Sequence, residues 1–449
     1  MKQALVVGLA RSGIAAAQLL LEQGWTVRLS DQKSLEALSE HAQMLLDHPN
    51  VEWRLGEAAQ TLLDGMELVV ISPGVPISHP VVAEAAKRGI ELIGEMELAS
   101  RFLQGKLIAI TGTNGKTTTT TLLGEILKNA GRRTWVAGNI GVPLSGIAME
   151  TRPEDVTVCE VSSFQLETIR EFHPDVSSIL NITEDHLNRH GTMENYIAHK
   201  AKVFMNQGAD DGVVLNWDDP VLRGMAGKPA CNIVWFSRVQ APPFGAFVRG
   251  DVIVYGTPDE FRPICSVAEV SIPGAHNLEN ALAATAVAMT LNVPAPVIRH
   301  TLRTFKGVEH RIEFVREVDG IRYINDSKGT NVDSTIKAIE TMSRPTVILL
   351  GGSRKQVSML PLAQAMKGSN ITGAVLIGDT APEIEKALDE VGFSEYRRAG
   401  YDFTKAVYMA RDMAQPGGNV LLSPACASFD MFKDYEERGA IFKNIVNGM

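Results

Sequence analysis

The residues of this 449-residue chain that are best suited to chemistry form a glycine-rich loop, Thr111-Gly112-Thr113-Asn114-Gly115-Lys116-Thr117. The loop follows the apolar segment LIAI and precedes a segment with helical periodicity, TTTTLLGEILKNAG. Glycines let backbone N–H groups surround phosphate oxygens, and the N-terminus of the next helix adds positive potential. Lys116 is then placed to neutralise the β- and γ-phosphates, and Thr117 to offer its hydroxyl to Mg²⁺. Ile110 stands where the full pattern G-x-x-x-x-G-K-[ST] begins with glycine, so the loop is a shortened variant. We predict that it binds the phosphates of a nucleotide and is not an ordinary turn.

Two later strand candidates end in side chains that can bind a metal ion. Glu160 ends the segment VTVCE, and Asp185 and His186 end the segment ILNITEDH. Oxygen ligands beside a phosphate loop suit Mg²⁺, and an imidazole can join them. One such carboxylate alone is usually a solvated cap. Because both segments follow the phosphate loop in one α/β unit, we predict a magnesium site.

The N-terminal segment has the layout of a dinucleotide site. Gly8-Leu9-Ala10-Arg11-Ser12-Gly13 follows a strand candidate and opens a helix candidate, Asp31 ends the next strand, and Ser72-Pro73-Gly74 ends the third. The middle glycine of G-x-G-x-x-G is Ala10, so the segment matches the NAD pattern only in part. The diphosphate of another nucleotide and a purely structural turn both remain open, because a helix N-terminus binds phosphate whatever the base.

Further along, polar residues cluster again at the predicted ends of strands and helices. Asn280 falls in the first turn of an alanine-rich helix, where it either caps the helix or faces a base or ribose. His310-Arg311, Asp326-Ser327-Lys328 and Lys355 start or end segments of a third group of strands. Separately each could be a surface charge, whereas together they predict positive charge near a transferring phosphoryl group.

The elements that position these residues alternate along the chain as short apolar runs and segments with helical periodicity, which predicts parallel α/β architecture. The predicted fold is α/β with three domains. They are an N-terminal Rossmann-like domain (1–95), a central P-loop mononucleotide-binding parallel sheet (96–307) and a C-terminal Rossmann-like domain (308–449). The pattern is lost over 240–273, which we expect to be irregular or a small antiparallel insert.

Composition excludes several other classes of protein. The chain carries 43 basic and 52 acidic residues, a net charge of -9, so we expect small-molecule substrates and no nucleic acid. No apolar run approaches the roughly eighteen residues that span a bilayer, so we expect no membrane contact. Four widely spaced cysteines predict neither zinc nor disulfides, and the N-terminus has no export signal. We expect a cytoplasmic protein.

Taken together, these motifs resemble those of the Mur ligases, the ATP-dependent amide-forming enzymes of peptidoglycan precursor synthesis. GTNGKTTT, EVSS, EDH, H-N-x-x-N and HR occur in the family's order and span nearly the whole chain. The segments DSKGTN (326–331) and SPACASFDMFKDYEERG resemble the branch that adds D-glutamate to UDP-N-acetylmuramoyl-L-alanine. Folylpolyglutamate synthase shares the phosphate loop, but we know of no SPACAS segment in it.

The resemblance implies a set of site residues. ATP would be bound by Gly112, Thr113, Asn114, Gly115, Lys116, Thr117, Thr118, Asn280, Arg311 and Asp326. The UDP substrate would be bound by Leu9, Arg11, Ser12, Asp31, Ser72, Gly74 and Asn139, and D-glutamate by Thr330, Lys355, Ser428, Phe429 and Tyr435. Two Mg²⁺ ions would be bound by Thr117, Glu160, His186 and Lys200. The catalytic residues would be Lys116, His186, Lys200 and Lys328, in an enzyme expected to be a monomer.

The resemblance also implies that a lysine four residues after a tyrosine is carbamylated by CO₂. Tyr196 and Lys200 have this spacing, and Lys202 is the alternative. A carbamate offers two oxygen ligands to Mg²⁺, whereas an ammonium repels it. Three residues depart from the family's pattern, namely Asn188, Gly329 and Phe429, which stand where aspartate, alanine and leucine are usual. The bulk of Phe429 puts amino-acid selectivity in question, but not the reaction class.

Two other functions remain open on the residues. A nicotinamide oxidoreductase would depend on the N-terminal fold, but Ala10 and the separate phosphate loop oppose it. A non-catalytic nucleotide sensor would use the same loop, but it has no need of Asp326, Lys328, Lys355 and the segment around Ser428. A nicotinamide-dependent change in absorbance, or ATP binding without turnover, would distinguish these functions.

Overall fold

The computed structural model describes residues 2–34, 38, 40–45, 47–354 and 357–449. Contacts divide the chain into two compact units. The first comprises Met1–Glu269 and Glu279–Arg303, and the second comprises Val270–Leu278 and Thr304–Met449. Two β-sheets lie in the first unit and one lies in the second, which confirms the predicted α/β class. The domain boundaries at 95 and 307 stay a prediction.

The first sheet contains five parallel strands, which are β1 (Gln3–Val7), β2 (Thr26–Ser30), β3 (Val51–Trp53), β4 (Leu68–Ile71) and β5 (Glu91–Gly94). Its helices are α1 (Arg11–Glu22), α2 (Glu40–Gln43), α3 (Ala59–Leu62), α4 (Pro80–Arg88) and α5 (Glu95–Ser100). The strand order is β3-β2-β1-β4-β5. The direction of strand addition therefore reverses between β1 and β4, which is where open α/β sheets bind ligands.

The second sheet contains nine strands, which are β6 (Lys106–Thr111), β7 (Thr134–Gly138), β8 (Val156–Glu160), β9 (Val176–Ile179), β10 (Gly212–Asn216), β11 (Asn232–Ser237), β12 (Gly245–Arg249), β13 (Val252–Gly256) and β14 (Phe261–Ser266). Its helices are α6 (Lys116–Asn129), α7 (Ser163–Leu166), α8 (Leu187–His190), α9 (Met193–Ala201), α10 (Pro220–Arg223), α11 (Ala275–Thr290) and α12 (Ala295–Thr304). The order is β14-β13-β12-β11-β10-β9-β6-β8-β7. Strands β13 and β14 pair antiparallel, so the segment 240–273 forms the small antiparallel insert, the second of its two predicted alternatives.

The third sheet contains six strands, which are β15 (Glu313–Val318), β16 (Ile321–Asn325), β17 (Thr346–Gly351), β18 (Ile371–Ile377), β19 (Tyr396–Gly400) and β20 (Asn419–Leu422). Its helices are α13 (Val332–Glu340), α14 (Leu360–Met366), α15 (Ala381–Glu390), α16 (Phe403–Met413) and α17 (Tyr435–Asn447). The order is β15-β16-β20-β17-β18-β19, and β15 alone pairs antiparallel with its neighbour.

Several strands in the interiors of the sheets are buried along their whole length. β4, β8, β9, β10, β17 and β20 have no exposed residue, as expected for parallel strands covered by helices on both faces. In the second sheet β6 lies between β9 and β8, with Ile110 beside both Glu160 and Ser178. The segments that follow these three strands therefore meet at one edge, where the candidate site lies.

Candidate active site

The phosphate loop connects β6 to α6 with a backbone that glycine readily adopts. Gly112 and Gly115 have φ angles of 144° and 84°. Thr117 and Thr118 are buried in the first turn of α6. The Lys116 ammonium donates to the carbonyl oxygens of Gly112 at 3.0 Å and Thr113 at 2.8 Å, so it lies over the loop itself. This is where a cation can neutralise phosphate charge.

The end of β9 fixes the shape of this loop. The carbonyl of Asn181 accepts from the Thr113 N–H at 3.0 Å, and its side-chain oxygen accepts from the Asn114 N–H at 2.8 Å. The Asn181 amide group donates back to the Asn114 carbonyl at 3.1 Å. Sequence reasoning missed Asn181, although it lies in the polar segment that follows the strand.

Asn280 lies beside the loop. The Thr119 hydroxyl, one turn into α6, donates to the Asn280 side-chain oxygen at 3.3 Å. A Cβ atom at Gly115 would lie 2.2 Å from that same oxygen. Glycine at 115 is therefore required both by its positive φ and by the close approach of Asn280.

Lys200 reaches the same loop from α9. It is 1% exposed, and its ammonium donates to the Gly112 carbonyl at 2.8 Å and lies 4.7 Å from the centre of the Tyr196 ring. Burial, together with the nearby Lys116 ammonium, lowers the pKa of Lys200 well below its usual value. The alternative residue, Lys202, donates instead to the Glu167 carbonyl at 2.9 Å. Of the two lysines, Lys200 contacts the phosphate loop.

The residues predicted to bind Mg²⁺ lie on both sides of the loop. Glu160, at the end of β8, is buried and accepts from the Asn139 amide group at 2.9 Å. His186 immediately precedes α8 with a φ of 55°, and its ring lies 3.5 Å from the Asp185 carboxylate. The hydroxyl of Thr117, the carboxylate of Glu160 and the imidazole of His186 make a donor set that fits Mg²⁺ beside phosphate.

Most of the residues predicted for the UDP substrate follow β1, β2 and β4 of the first sheet, and Asn139 follows β7 of the second. The Asp31 carboxylate accepts from the Leu9 N–H at 2.7 Å, so its place is structural at least in part. The Ser72 hydroxyl donates to the Gly8 carbonyl at 2.6 Å. Arg11 is exposed and donates to the Gly141 carbonyl at 3.4 Å. Of the remaining residues predicted for this ligand, Ser12 is half-buried, and Gly74 and Asn139 are exposed.

In the second unit, Arg311 and Asp326 lie together. Their side chains are 3.4 Å apart, and Asp326 is fully buried. Burial raises the pKa of Asp326, although Arg311 opposes this change. The Ser423 hydroxyl donates to the same carboxylate at 2.6 Å. A Cβ atom at Gly329 would lie 2.5 Å from it, so an alanine here would require the carboxylate to move.

The residues predicted to bind D-glutamate differ from one another in burial. Ser428 is buried, Thr330 and Tyr435 are half-buried, and Phe429 is 75% exposed. The Lys328 ammonium lies 5.2 Å from the centre of the Tyr435 ring. Lys355 lies outside the described residues.

Sequence reasoning also missed a network around Arg189. Its guanidinium pairs with Glu167 and lies 4.7 Å from the centre of the Phe164 ring. A small pocket beside it is lined by Ser72, Val75, Phe164, Glu167 and Arg189 among others. The guanidinium and Glu167 are distant from the loop in sequence and match no motif, so only the folded chain identifies them.

Within the described part of the chain, no helix combines the length and the apolar character needed to cross a membrane. All four cysteines are described, all are buried, and none forms a disulfide bond.

Three family descriptions match consecutive parts of the chain. "Mur ligase MurD-like, N-terminal domain" matches residues 2–94, "Mur ligase middle domain" matches residues 110–288, and "Mur ligase, glutamate ligase domain" matches residues 310–426.

Curated relatives match over almost the whole chain. A UDP-N-acetylmuramoylalanine–D-glutamate ligase of Thermoanaerobacter sp. (strain X514) is 46% identical over 99% of this chain and 98% of its own. The enzyme of the same name from Alkaliphilus oremlandii (strain OhILAs) is 47% identical over the same shares. That of Clostridioides difficile (strain 630) is 43% identical over 100% of this chain and 99% of its own.

Solved structures share the fold at low identity. The UDP-N-acetylmuramate–alanine ligase MurC of Thermotoga maritima aligns with a TM-score of 0.63 at 19% identity, over 100% of this chain and 99% of that one. MurF ligase of the same organism, in complex with ADP, aligns with a TM-score of 0.62 at 17% identity, over 94% and 95%.

Proposed function

The chain belongs to the Mur ligase family, and from that premise we propose that it joins D-glutamate to UDP-N-acetylmuramoyl-L-alanine, using ATP, in peptidoglycan precursor synthesis. The observation that carries this proposal is the arrangement at Gly112. Two lysines, Lys116 and Lys200, donate to its carbonyl, and Glu160 ends the neighbouring strand. A loop that binds phosphate, with an acidic group beside it, suits phosphoryl transfer.

The reaction proceeds in two steps. The alanine carboxylate of the UDP substrate attacks the γ-phosphorus of ATP, which forms an acyl phosphate and releases ADP. The amine of D-glutamate then attacks the acyl carbon, loses a proton, and expels phosphate, so an amide bond replaces the acyl–oxygen bond. ATP is required because a free carboxylate does not react with an amine at useful rates in water.

The chain contributes position and charge to these steps. Lys116 and the N-terminus of α6 stabilise the negative charge of the β- and γ-phosphates. The segments after β1, β2 and β4 bind the UDP part of the substrate through Leu9, Arg11, Ser12, Asp31, Ser72 and Gly74, with Asn139 added from the central sheet. This assignment agrees with the presence of Ala10 at the middle glycine of the dinucleotide pattern, since a UDP diphosphate does not need that glycine.

Magnesium is the metal that this chemistry and these side chains suit. We propose two ions, bound by Thr117, Glu160, His186 and a carbamylated Lys200. Bound Mg²⁺ supplies charge neutralisation to the phosphoryl group being transferred. His186 serves as a ligand and positioning group, not as a general base.

Carbamylation of Lys200 is supported by its surroundings. The neutral amine attacks the carbon of CO₂, the new N–C bond forms, and one proton leaves the nitrogen, which gives a carbamate anion. Burial at 1% exposure favours the neutral amine that this reaction needs. Lys202, which donates to the Glu167 carbonyl, is the weaker candidate.

The remaining assignments depend on the family resemblance. Asn280, Arg311 and Asp326 join the phosphate loop, Gly112 to Thr118, as ATP-binding residues. Thr330, Lys355, Ser428, Phe429 and Tyr435 bind D-glutamate, and Lys328 acts with them in catalysis. We propose domains at 1–95, 96–307 and 308–449, in a cytoplasmic monomer whose partners are its small-molecule substrates, with no nucleic acid and no membrane.

Phosphate release from ATP and Mg²⁺ with the UDP substrate tests this function. D-glutamate, L-glutamate, L-alanine, L-lysine and no amino acid are compared, and release is expected with D-glutamate alone. The proposal is contradicted if phosphate is released with L-lysine alone, or if no amino acid gives any release.

A pair of variants on one helix tests the role of the loop. Lys116→Ala should abolish ADP formation, because no other cation on α6 lies over the loop carbonyls in the described structure. Lys128→Ala is the control, since Lys128 lies at the exposed end of α6 and pairs with Glu125 at 2.9 Å. Turnover that survives in Lys116→Ala would remove the phosphate-loop assignment.

A further inference from the structure

Arg189 contacts a turn that belongs to the first sheet and a segment that belongs to the second sheet of the first unit. Its Nε and Nη2 atoms donate to the two carboxylate oxygens of Glu167 at 3.1 and 2.5 Å. Nη2 also donates to the backbone carbonyl of Val75 at 3.0 Å. The side chains of Arg189 and Glu167 are 14% and 2% exposed, so these are largely buried, charge-assisted hydrogen bonds.

Val75 belongs to the turn that follows β4 and begins at Ser72. Its N–H donates to the Ser72 carbonyl at 2.9 Å, which closes this turn. Its side chain packs on Gly8, since a Cβ atom at Gly8 would lie 2.8 Å from the Val75 Cγ2 atom. The Ser72 hydroxyl binds the Gly8 carbonyl as well. The position of Val75 therefore sets the positions of both turns in the crevice of the first sheet.

On its other side, Arg189 contacts the segment that carries His186. Its guanidinium lies 4.7 Å from the centre of the Phe164 ring, and the Phe164 ring meets the His186 ring edge-on at 4.8 Å between centres. Arg189 also lies on α8, which starts immediately after His186. One side chain thus connects the turn at Ser72 with the polar end of β9.

We propose that Arg189 is a positioning residue for the UDP substrate: it holds the Ser72–Val75 turn in register with His186, so that the substrate's carboxylate is presented to the phosphate loop. This inference rests on the proposed function, which supplies the identity of the ligand. Arginine is required because its planar fork can bind Glu167 and a carbonyl at once, whereas lysine offers a single point charge.

The test uses Arg189→Lys and Arg189→Met in the full chain, with Arg223→Met as the matched control. Arg223 also donates to a backbone carbonyl, that of Trp217 at 3.0 Å, and lies 5.7 Å from the centre of the Trp217 ring. The dissociation constant of UDP-N-acetylmuramoyl-L-alanine is measured by calorimetry without ATP. The Michaelis constants of all three substrates are then measured by phosphate release.

We expect both Arg189 variants to bind the UDP substrate about tenfold or more weakly, because a buried hydrogen bond from a charged donor contributes about that factor. The Michaelis constant for the UDP substrate should rise in parallel, while those for ATP and D-glutamate should stay near the wild-type values. Arg223→Met should bind the UDP substrate as the wild type does. Such a selective change would not arise from a general loss of stability.

Two results would overturn the inference. One is binding of the UDP substrate by Arg189→Met within about twofold of the wild type. The other is an equal rise of all three Michaelis constants. If the wild type binds the UDP substrate but releases no phosphate, the proposed function fails, and the ratio of dissociation constants still decides the role of Arg189. If the wild type does not bind the UDP substrate, the proposed function and the proposed role of Arg189 both fail.

Discussion

Replacing Gly115 by alanine tests whether the conformation of the phosphate loop and the position of Asn280 depend on each other. Gly115 has a φ of 84°, and an added Cβ atom would lie 2.2 Å from the Asn280 side-chain oxygen and 3.3 Å from Leu180. The backbone at 115 is fixed by its place before α6, so the Asn280 side chain has to move. That movement breaks the hydrogen bond from Thr119.

The free-energy cost has three parts. An alanine in the left-handed region costs about 1–2 kcal/mol. Rotating Asn280 away from its preferred rotamer costs about 0.5–1.5 kcal/mol more, and the lost hydrogen bond contributes about 1 kcal/mol. The free energy of unfolding should therefore fall by roughly 2.5–4.5 kcal/mol.

Gly131→Ala provides a matched control just beyond the same helix. Gly131 has a φ of 78°, and no atom lies within 4 Å of its added Cβ, so it carries only the backbone cost. Calorimetric unfolding should place Gly115→Ala below Gly131→Ala in stability. Phosphate-release assays should show a Michaelis constant for ATP that is raised about two- to tenfold in Gly115→Ala and unchanged in Gly131→Ala. If the two variants agree in both measurements, the proposed coupling of Gly115 to Asn280 is wrong.

Three further predictions concern other sites. Carbon-13 NMR after equilibration with labelled bicarbonate should show a carbamate signal. Lys200→Arg should remove this signal and Lys202→Arg should retain it. Loss of the signal in Lys202→Arg instead would assign the carbamate to Lys202. Burial raises the pKa of Glu95 to about 7 from 4.5, so the folded chain keeps a proton that the unfolded chain loses. Stability should therefore fall by roughly 3 kcal/mol as the pH rises between those values. The melting temperature of Glu95→Gln should change less with pH over that range than that of the wild type. The same dependence on pH in both proteins would contradict the raised pKa of Glu95. Gly329→Ala should displace the Asp326 carboxylate and raise the Michaelis constant for ATP about two- to tenfold, with that for D-glutamate unchanged; a wild-type constant for ATP would show that Asp326 does not act there.

The strands that the sequence predicted are those in the interiors of the sheets. β4 (LVVI) and β8 (VTVCE) are buried throughout and mostly apolar because helices cover both faces, and such runs are visible in the sequence. The strands that were missed include β3, β7, β15 and β19, which lie at sheet edges and are largely half-buried or exposed. An edge strand forms because a neighbour offers it hydrogen bonds, and its own residues need not be apolar.

The sequence also predicted the parts of the candidate site that are local. Lys116 and Thr117 follow from the spacing of glycines before a helix, because backbone geometry over seven residues decides where they lie. Gly329 is different, since its departure from the family's pattern was visible in the sequence but its surroundings were not. A Cβ atom at that position would lie 2.5 Å from the Asp326 carboxylate.

What the sequence alone determined was the class of fold, the glycine-rich turn between β6 and α6, and the family, because these depend on short patterns of residues. Only the tertiary structure decided that Lys200 and not Lys202 contacts Gly112, that Asn181 fixes the loop, and that Arg189 connects Val75 with the segment of His186. These contacts join residues between 67 and 114 positions apart. Such pairs carry no signal in sequence spacing, because the order of strands in the sheet brings them together.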